Sequence, residues 1–270
     1  MLNFIDKFDK INPNVETQTE EATSVLSRRH AFRQFGSIAK DAALLAIPFG
    51  AAMMTPGRAM AQVTNPTIVD VLNFALTLEY LESEFYAMGL DTNGLLTGDA
   101  RSVVEQISKH EDAHVSFLTT TITSLNGTPV TKPSFDFTAN GSFPTVFSSA
   151  DTFFALAQAF EDTGVRAYKG QAGNLLGTGD VLQAALQIHS VEARHASEVR
   201  RLRGSKGWIT QAVNTTAPAA APIYAGEDNT THLGVDFKPV VTVGDDALTE
   251  AFDEPLTKDQ VLAIASLFIN

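Results

Sequence analysis

The sequence predicts an all-α protein, a four-helix bundle made from two copies of a helical hairpin joined by one long crossover. Three observations predict it. Four stretches carry apolar residues at helical spacing, each about 24 residues long, or roughly 36 Å as helix. A connection over 128–148, broken by Pro129, Pro133, Gly141 and Pro144, separates the second stretch from the third. A Glu-x-x-His pair occurs in the second stretch and again in the fourth, as Glu111 with His114 and Glu192 with His195.

The first helix begins near Pro66, a residue suited to a first turn, and Ile68, Val71, Leu72, Ala75, Leu78 and Leu81 or Glu82 follow at helical spacing. Gly89 is the expected stop. The second helix runs from Asp99, a good N-cap, to Leu125, with Asn126-Gly127 ending it. The third starts near Ser149–Asp151 and ends near Gly173. After the turn "NLLGTGD", the fourth runs from about Asp180 to Arg203, where Gly204 stops it. The bundle thus occupies 62–208. Beyond Trp208, Pro, Ala, Gly and Thr dominate. Residues 209–270 are therefore an irregular C-terminal arm with one possible strand pair and a short helix from about Leu256 to Leu267. That helix is expected to pack on the bundle or on a neighbouring subunit, in which case the protein is a homo-oligomer.

Composition narrows the chemistry. The chain has 270 residues, 44% of them apolar, a net charge of -12 and no cysteine. An acidic chain is repelled by nucleic-acid phosphate and by anionic membrane, so neither is an expected partner. Without cysteine there is no disulfide, iron–sulfur cluster or thiolate metal site, and any metal must be held by carboxylate and imidazole. Residues 27–35 read "SRRHAFRQF", and Arg28-Arg29 stand ahead of the apolar run "AALLAIPFGAAMM" and of "AMA" at 59–61. This resembles a twin-arginine export signal cleaved after Ala61, which makes the periplasm the expected compartment. The run is too short to span a membrane. The alternative is a cytoplasmic chain with an N-terminal arm. Residues 1–61 carry seven basic and six acidic residues, so their removal leaves about -13.

The repeat is deeper than the two Glu-x-x-His pairs. With an offset of 82, Glu79 falls on Glu161 and Tyr86 on Tyr168, while Glu82 and Glu84 fall on Gly164 and Arg166. With an offset of 81, Glu111 falls on Glu192 and His114 on His195. Residues i and i+3 of a helix lie about 60° apart and one turn along, so a Glu and its His reach one point together. Residues i and i+7 lie nearly in line, which puts each Tyr on the inward stripe of its Glu. That stripe is otherwise apolar, with Leu72, Ala75 and Leu78 on the first helix and Leu182, Ala185 and Val199 on the fourth. Four carboxylates and two imidazoles turned into a core are costly unless something neutralises them, and two divalent ions would do so. Oxygen and imidazole donors suit Fe or Mn.

On the phrases "NFALTLEYLESEFY", "HEDAHVSFL", "FEDTGVRAY" and "SVEARHASEVR", the chain resembles the ferritin-like superfamily. More narrowly, it resembles exported bacterial ferritin-like domain proteins, some of them called desiccation-related. The resemblance covers roughly 63–205, and more loosely "AFDEPLTKDQVLAIASLFI". It implies a ferritin-like bundle holding a carboxylate-bridged pair of Fe ions, Mn ions or one of each. Glu79 and His114 would serve one ion, Glu161 and His195 the other, and Glu111 and Glu192 would bridge. It also implies redox activity on O2 or H2O2, or oxidation of Fe(II). The alternative is a non-catalytic metal-binding or stress-protective protein.

Other candidates carry less. Tyr86 and Tyr168 are the candidate catalytic residues, either bonded to the ligand carboxylates or plain core aromatics. Glu82 could be an extra ligand, but Gly in its place in the second repeat predicts a solvated or helix-edge position. His110 and His189 have no counterpart in the other repeat, which predicts surface or polar-rim residues. The loop "SFDFTANGSFPTVF" is expected to cover the end of the core, with a partner surface as the alternative. If no metal binds, the acidic residues are expected to pair with Arg101, Arg166 or Arg194.

Overall fold

A computed structural model describes residues 67–212 and 218–270, so the expected export signal at 1–61 lies outside the described residues. Four long helices form the bundle: α1, Ile68–Asp91; α2, Gly98–Ser124; α3, Ala150–Ala172; and α4, Asp180–Leu202. The ends are set by local chemistry. Thr67 caps α1 through a capping box with Asp70, whose N–H donates to Thr67 Oγ1 at 3.1 Å. Helix α1 therefore starts at Ile68, and Pro66, expected in its first turn, lies outside the described residues. Gly89 does not stop α1 either. It lies inside the helix, where a Cβ would meet the Phe153 ring at 2.3 Å, so it is a packing residue. Thr97, not Asp99, is the N-cap of α2, and Asp99 sits in the first turn.

Both α2 and α4 end in the same way. Asn126 (φ 60°) and Gly204 (φ 72°) take left-handed backbone just past the helix. The N–H groups of Gly127 and Ser205 then reach back to Ile122 O and Arg200 O, at 2.9 Å each. That is a Schellman closure, with Asn tolerated where Gly is usual.

Helix α1 packs along α2, and α3 along α4. Two apolar clusters plug the bundle. One contains Val71, Leu72, Ala75, Leu76, Leu118, Ile122, Tyr168 and Ile188. The other contains Leu81, Phe85, Tyr86, Phe137, Phe153, Phe160 and Phe268. On α1, Glu79 falls between them. The 128–148 crossover is tied to α1 where Val130 N–H donates to Asn73 Oδ1 at 2.7 Å. Its apolar residues do cover the core end: Phe137, Phe143 and Val146 are buried.

The arm is irregular, as expected. A short antiparallel pair joins β1, Thr231–His232, to β2, Val235–Asp236, through Leu233 and Gly234, both at positive φ. Helix α5 (Asp245–Thr249) and helix α6 (Lys258–Ala265) follow. Helix α6 packs on the bundle, burying Val261, Ile264 and Ala265, while Phe268 just beyond it meets the Phe160 ring at 4.9 Å. The chain before α6 lies directly against α3: Leu256 N–H donates to Arg166 O at 3.1 Å, in room that Gly170 provides. No described helix is long and apolar enough to cross a membrane.

Candidate metal centre

The hairpins bring all six repeated residues to one place. Glu79, Glu111, Glu161 and Glu192 have no solvent exposure, and His195 is 4% exposed. Donor atoms of Glu79, Glu111, His114 and Glu192 lie within 4.8 Å of one another, and so do those of Glu111, Glu161, Glu192 and His195. The two sets share Glu111 and Glu192. Helix spacing explains this. Each Glu-x-x-His puts two donors on one face, and α2 and α4 face each other across the bundle, with a lone Glu arriving from α1 and from α3.

His114 Nδ1 lies 3.1 Å from Glu79, 3.1 Å from Glu111 and 3.2 Å from Glu192. His195 Nδ1 lies 2.8 Å from Glu111 and 3.3 Å from Glu161. One N–H cannot satisfy so many acceptors. Glu111 Oε1, Glu161 Oε2, both oxygens of Glu192 and His195 Nδ1 make no well-aligned hydrogen bond, although the imidazoles lie close to several of them. Buried polar atoms are usually paired, and each orphan here costs about 1–3 kcal/mol in a chain without ions. Oxygen and imidazole donors gathered at one point are a set that could hold hard or borderline metal cations.

The electrostatics agree. Burial disfavours the charged imidazolium of His114, but Glu111, Glu192 and Glu79 outweigh it and push its pKa up to about 12. His195 is likewise opposed by burial and raised by Glu161 and Glu111, to about 11. Burial raises Glu79 to about 7, and raises Glu192 well above the usual carboxylate range with help from Glu111 and Glu79. Glu111 also meets the burial cost, but the imidazoles of His114 and His195 beside it bring it down to about 2. In the metal-free chain, protons on the two imidazoles therefore stand in for cations.

The tyrosines are bonded crosswise. Tyr86 on α1 donates to Glu161 on α3, and Tyr168 on α3 donates to Glu79 on α1. Each thus holds the terminal carboxylate of the opposite repeat, and each is buried. Spacing alone set each Tyr above its own Glu and could not show this exchange. His110 is also closer to the site than a surface reading allows. Its ring stacks on His195 at 5.1 Å, its Nδ1 is 2.9 Å from His195 Nε2, and its Nε2 is 2.7 Å from Gln106. The run from His195 through His110 ends at exposed Gln106. His189 stays apart from the cluster, half-buried on α4.

Glu82 corrects an expectation. It is not solvated: it is 3% exposed and acted on by the cluster's own carboxylates. The Arg-paired alternative also fails. Arg101 bonds Glu105 at 2.9 Å, and Arg166 bonds Glu227 at 2.9 Å. Arg194 lines a separate cleft with Trp208 and Asp253. A chamber of about 20 Å³ adjoins the site, lined by Leu72, Ala75, Leu78, Tyr168, Ala185 and Ile188. Its lining is almost wholly apolar, so it has the size but not the polar partners to hold a water.

A search of curated proteins returns no match to the chain. Residues 67–205, the stretch that holds all four bundle helices and every residue of the cluster, match the family model of the ferritin-like domain. That match covers just over half of the chain, and the protein belongs to the ferritin-like domain family.

Proposed function

We propose that the protein is an exported metalloprotein that holds two Fe or Mn ions and acts on O2 or peroxide, or oxidises Fe(II). One observation carries the metal reading: two four-donor sets share Glu111 and Glu192, and buried oxygens in them are left without a well-aligned hydrogen bond. A bound pair of such ions supplies two electrons to an oxidant.

The chain's own residues do the rest. Glu111 and Glu192 hold the two positions together, and Glu79 with His114 and Glu161 with His195 complete one position each. The protons on His114 and His195 leave when a cation arrives. On the far side of the ring, His195 Nε2 meets His110 Nδ1 at 2.9 Å, and that contact holds the imidazole with Nδ1 toward the carboxylates. Tyr86 and Tyr168 fix the outer carboxylates by donating to them. The apolar plugs at both ends keep bulk water out, which strengthens every charge interaction inside. The dry chamber beside Tyr168 favours a small apolar oxidant such as O2 over a bulky substrate. Export rests on Arg28-Arg29 and the apolar run after them, and N-terminal sequencing of protein recovered from the periplasm tests it.

The functional test is elemental analysis of protein purified without chelator from cells given both metals, beside a Glu111→Ala/Glu192→Ala variant. About two Fe or Mn per chain in the parent and few in the variant are expected from the two donor sets. The parent, loaded with the metal found, should then consume O2 or H2O2 repeatedly. A single turnover with the metal retained would make it a storage or buffering protein. A folded, metal-free parent would sink the reading.

A further inference from the structure

Glu82 sits one turn past Glu79 on α1, is 3% exposed, and has no counterpart in the second repeat. The residue at the matching place on α3 is Gly164. A Cβ built there would lie 3.0 Å from Glu192 Oε2 and 3.2 Å from Glu82 Oε1. Both carboxylates therefore point into the gap that the missing side chain leaves. Glycine is a poor residue for the interior of a 23-residue helix, so its effect here is local room rather than helix stability. The charged groups that act most strongly on Glu82 are all carboxylates: Glu192, Glu161, Glu111 and Glu79. A buried acid facing four others stays protonated until a cation joins them.

We propose that Glu82 is a seventh donor of the metal centre, a fifth carboxylate held in the space that Gly164 leaves, and that it makes the two ion positions unequal. The proposal rests on the metal-centre reading and deepens it. Four ionised carboxylates cancel two divalent ions. Five leave one negative charge over with two divalent ions, and one positive charge with two trivalent ions, where four would leave two. A buried site is favoured nearer neutrality, so Glu82 shifts the preference of the centre toward trivalent ions. The sequence repeat is two-fold, but the centre is not.

The test uses the full folded protein, with Glu82→Gln, which keeps shape and removes charge, and Gly164→Ala, which fills the gap and keeps Glu82. Co(II) titration, followed by its visible absorption, should show two ions in the parent. In each variant one of the two should bind about tenfold more weakly, the lower end of the effect of losing a partner of a metal site. Fe(III) loaded into the site should pass to a competing chelator about tenfold faster from Glu82→Gln than from the parent. The metal-free Glu82→Gln protein should melt no lower than the parent, since a buried acid has gone. Alanine favours a helix interior, so Gly164→Ala keeps the test alive if Glu82→Gln fails to fold. Unchanged Co(II) affinities and unchanged Fe(III) release in folded variants would overturn the role of Glu82 alone. A parent that takes up no Co(II) would overturn the metal centre itself, and this role with it.

Discussion

The bundle buries two polar clusters, and they are built on opposite plans. The central one gathers Glu79, Glu82, Glu111, Glu161 and Glu192 around two imidazoles, with several oxygens left over. The other lies on the outer side of α3, under the arm. There Arg200 pairs with Asp162, Tyr224 donates to Asp162 at 2.8 Å, and Gln158 donates to Tyr224 at 2.9 Å. Beside them Arg166 pairs with Glu227 and donates to the carbonyls of Ile223, Ala225 and Glu254. Two acids there meet two arginines. In the outer cluster each acid meets an arginine and only Glu227 Oε2 lacks a hydrogen bond, while the central carboxylates outnumber their imidazoles and leave several oxygens over. Burial of charge alone therefore does not mark a functional site; burial of charge without its counter-charge does.

If that contrast holds, metal should matter only at the centre. Saturating ion at about 1,000 times its dissociation constant should add about 4 kcal/mol per ion to unfolding free energy, the largest effect expected. Differential scanning calorimetry with and without a chelator reads it, and Glu111→Ala/Glu192→Ala should abolish the shift. The outer cluster should fail by losing a partner. Arg166→Met leaves Glu227 buried without its counter-charge, with only the Glu254 N–H still donating to it, which should cost about 3–5 kcal/mol in urea unfolding with metal uptake unchanged. Adding Glu227→Leu should recover part of that loss; no recovery would mean the bonds to the three carbonyls, and not the ion pair, hold the arm.

Smaller changes sharpen the picture. Tyr168→Phe removes the donor to Glu79 and should cost about 1.5–3 kcal/mol, because the acceptor is charged. If the bond serves the centre, the loss will be larger in the metal-loaded protein than in the free one. The pH dependence is the smallest term. His114 and His195 hold protons up to about 12 and about 11 in the metal-free chain, and each ion must displace one. Metal affinity should therefore rise with pH between pH 6 and 8 by at least about tenfold per ion per unit, or about 1.4 kcal/mol, with the proton on Glu79 adding to it below about 7. A flat Co(II) affinity over that range would mean the imidazoles are already neutral.

The helices and the six repeated residues were legible because each depends on spacing within one helix. Apolar periodicity marked α1 to α4, and Ser149, Asn126-Gly127 and Gly204 marked three ends by their local chemistry. What spacing could not show depends on the neighbouring helix. Gly89 reads as a stop until Phe153 is seen against it. Glu82 reads as solvated until Gly164 is seen facing it, although Gly in the matching place was itself the available signal. Tyr86 and Tyr168 read as guards of their own glutamates, and the bundle crosses them. His110 had no repeat partner to betray its stacking on His195. Arg166 sat in the repeat as an odd residue, and only the folded arm supplies the carbonyls it binds.

Arg166 has one more consequence, for time rather than energy. Its guanidinium joins α3 to backbone 57, 59 and 88 residues further along the chain. Contacts between such distant segments form only after the loops between them have closed, so they come late in folding. Interactions absent from the transition state do not hasten folding; they slow unfolding. One side chain thus acts as a latch, and removing it is expected to raise the unfolding rate more than it lowers the folding rate.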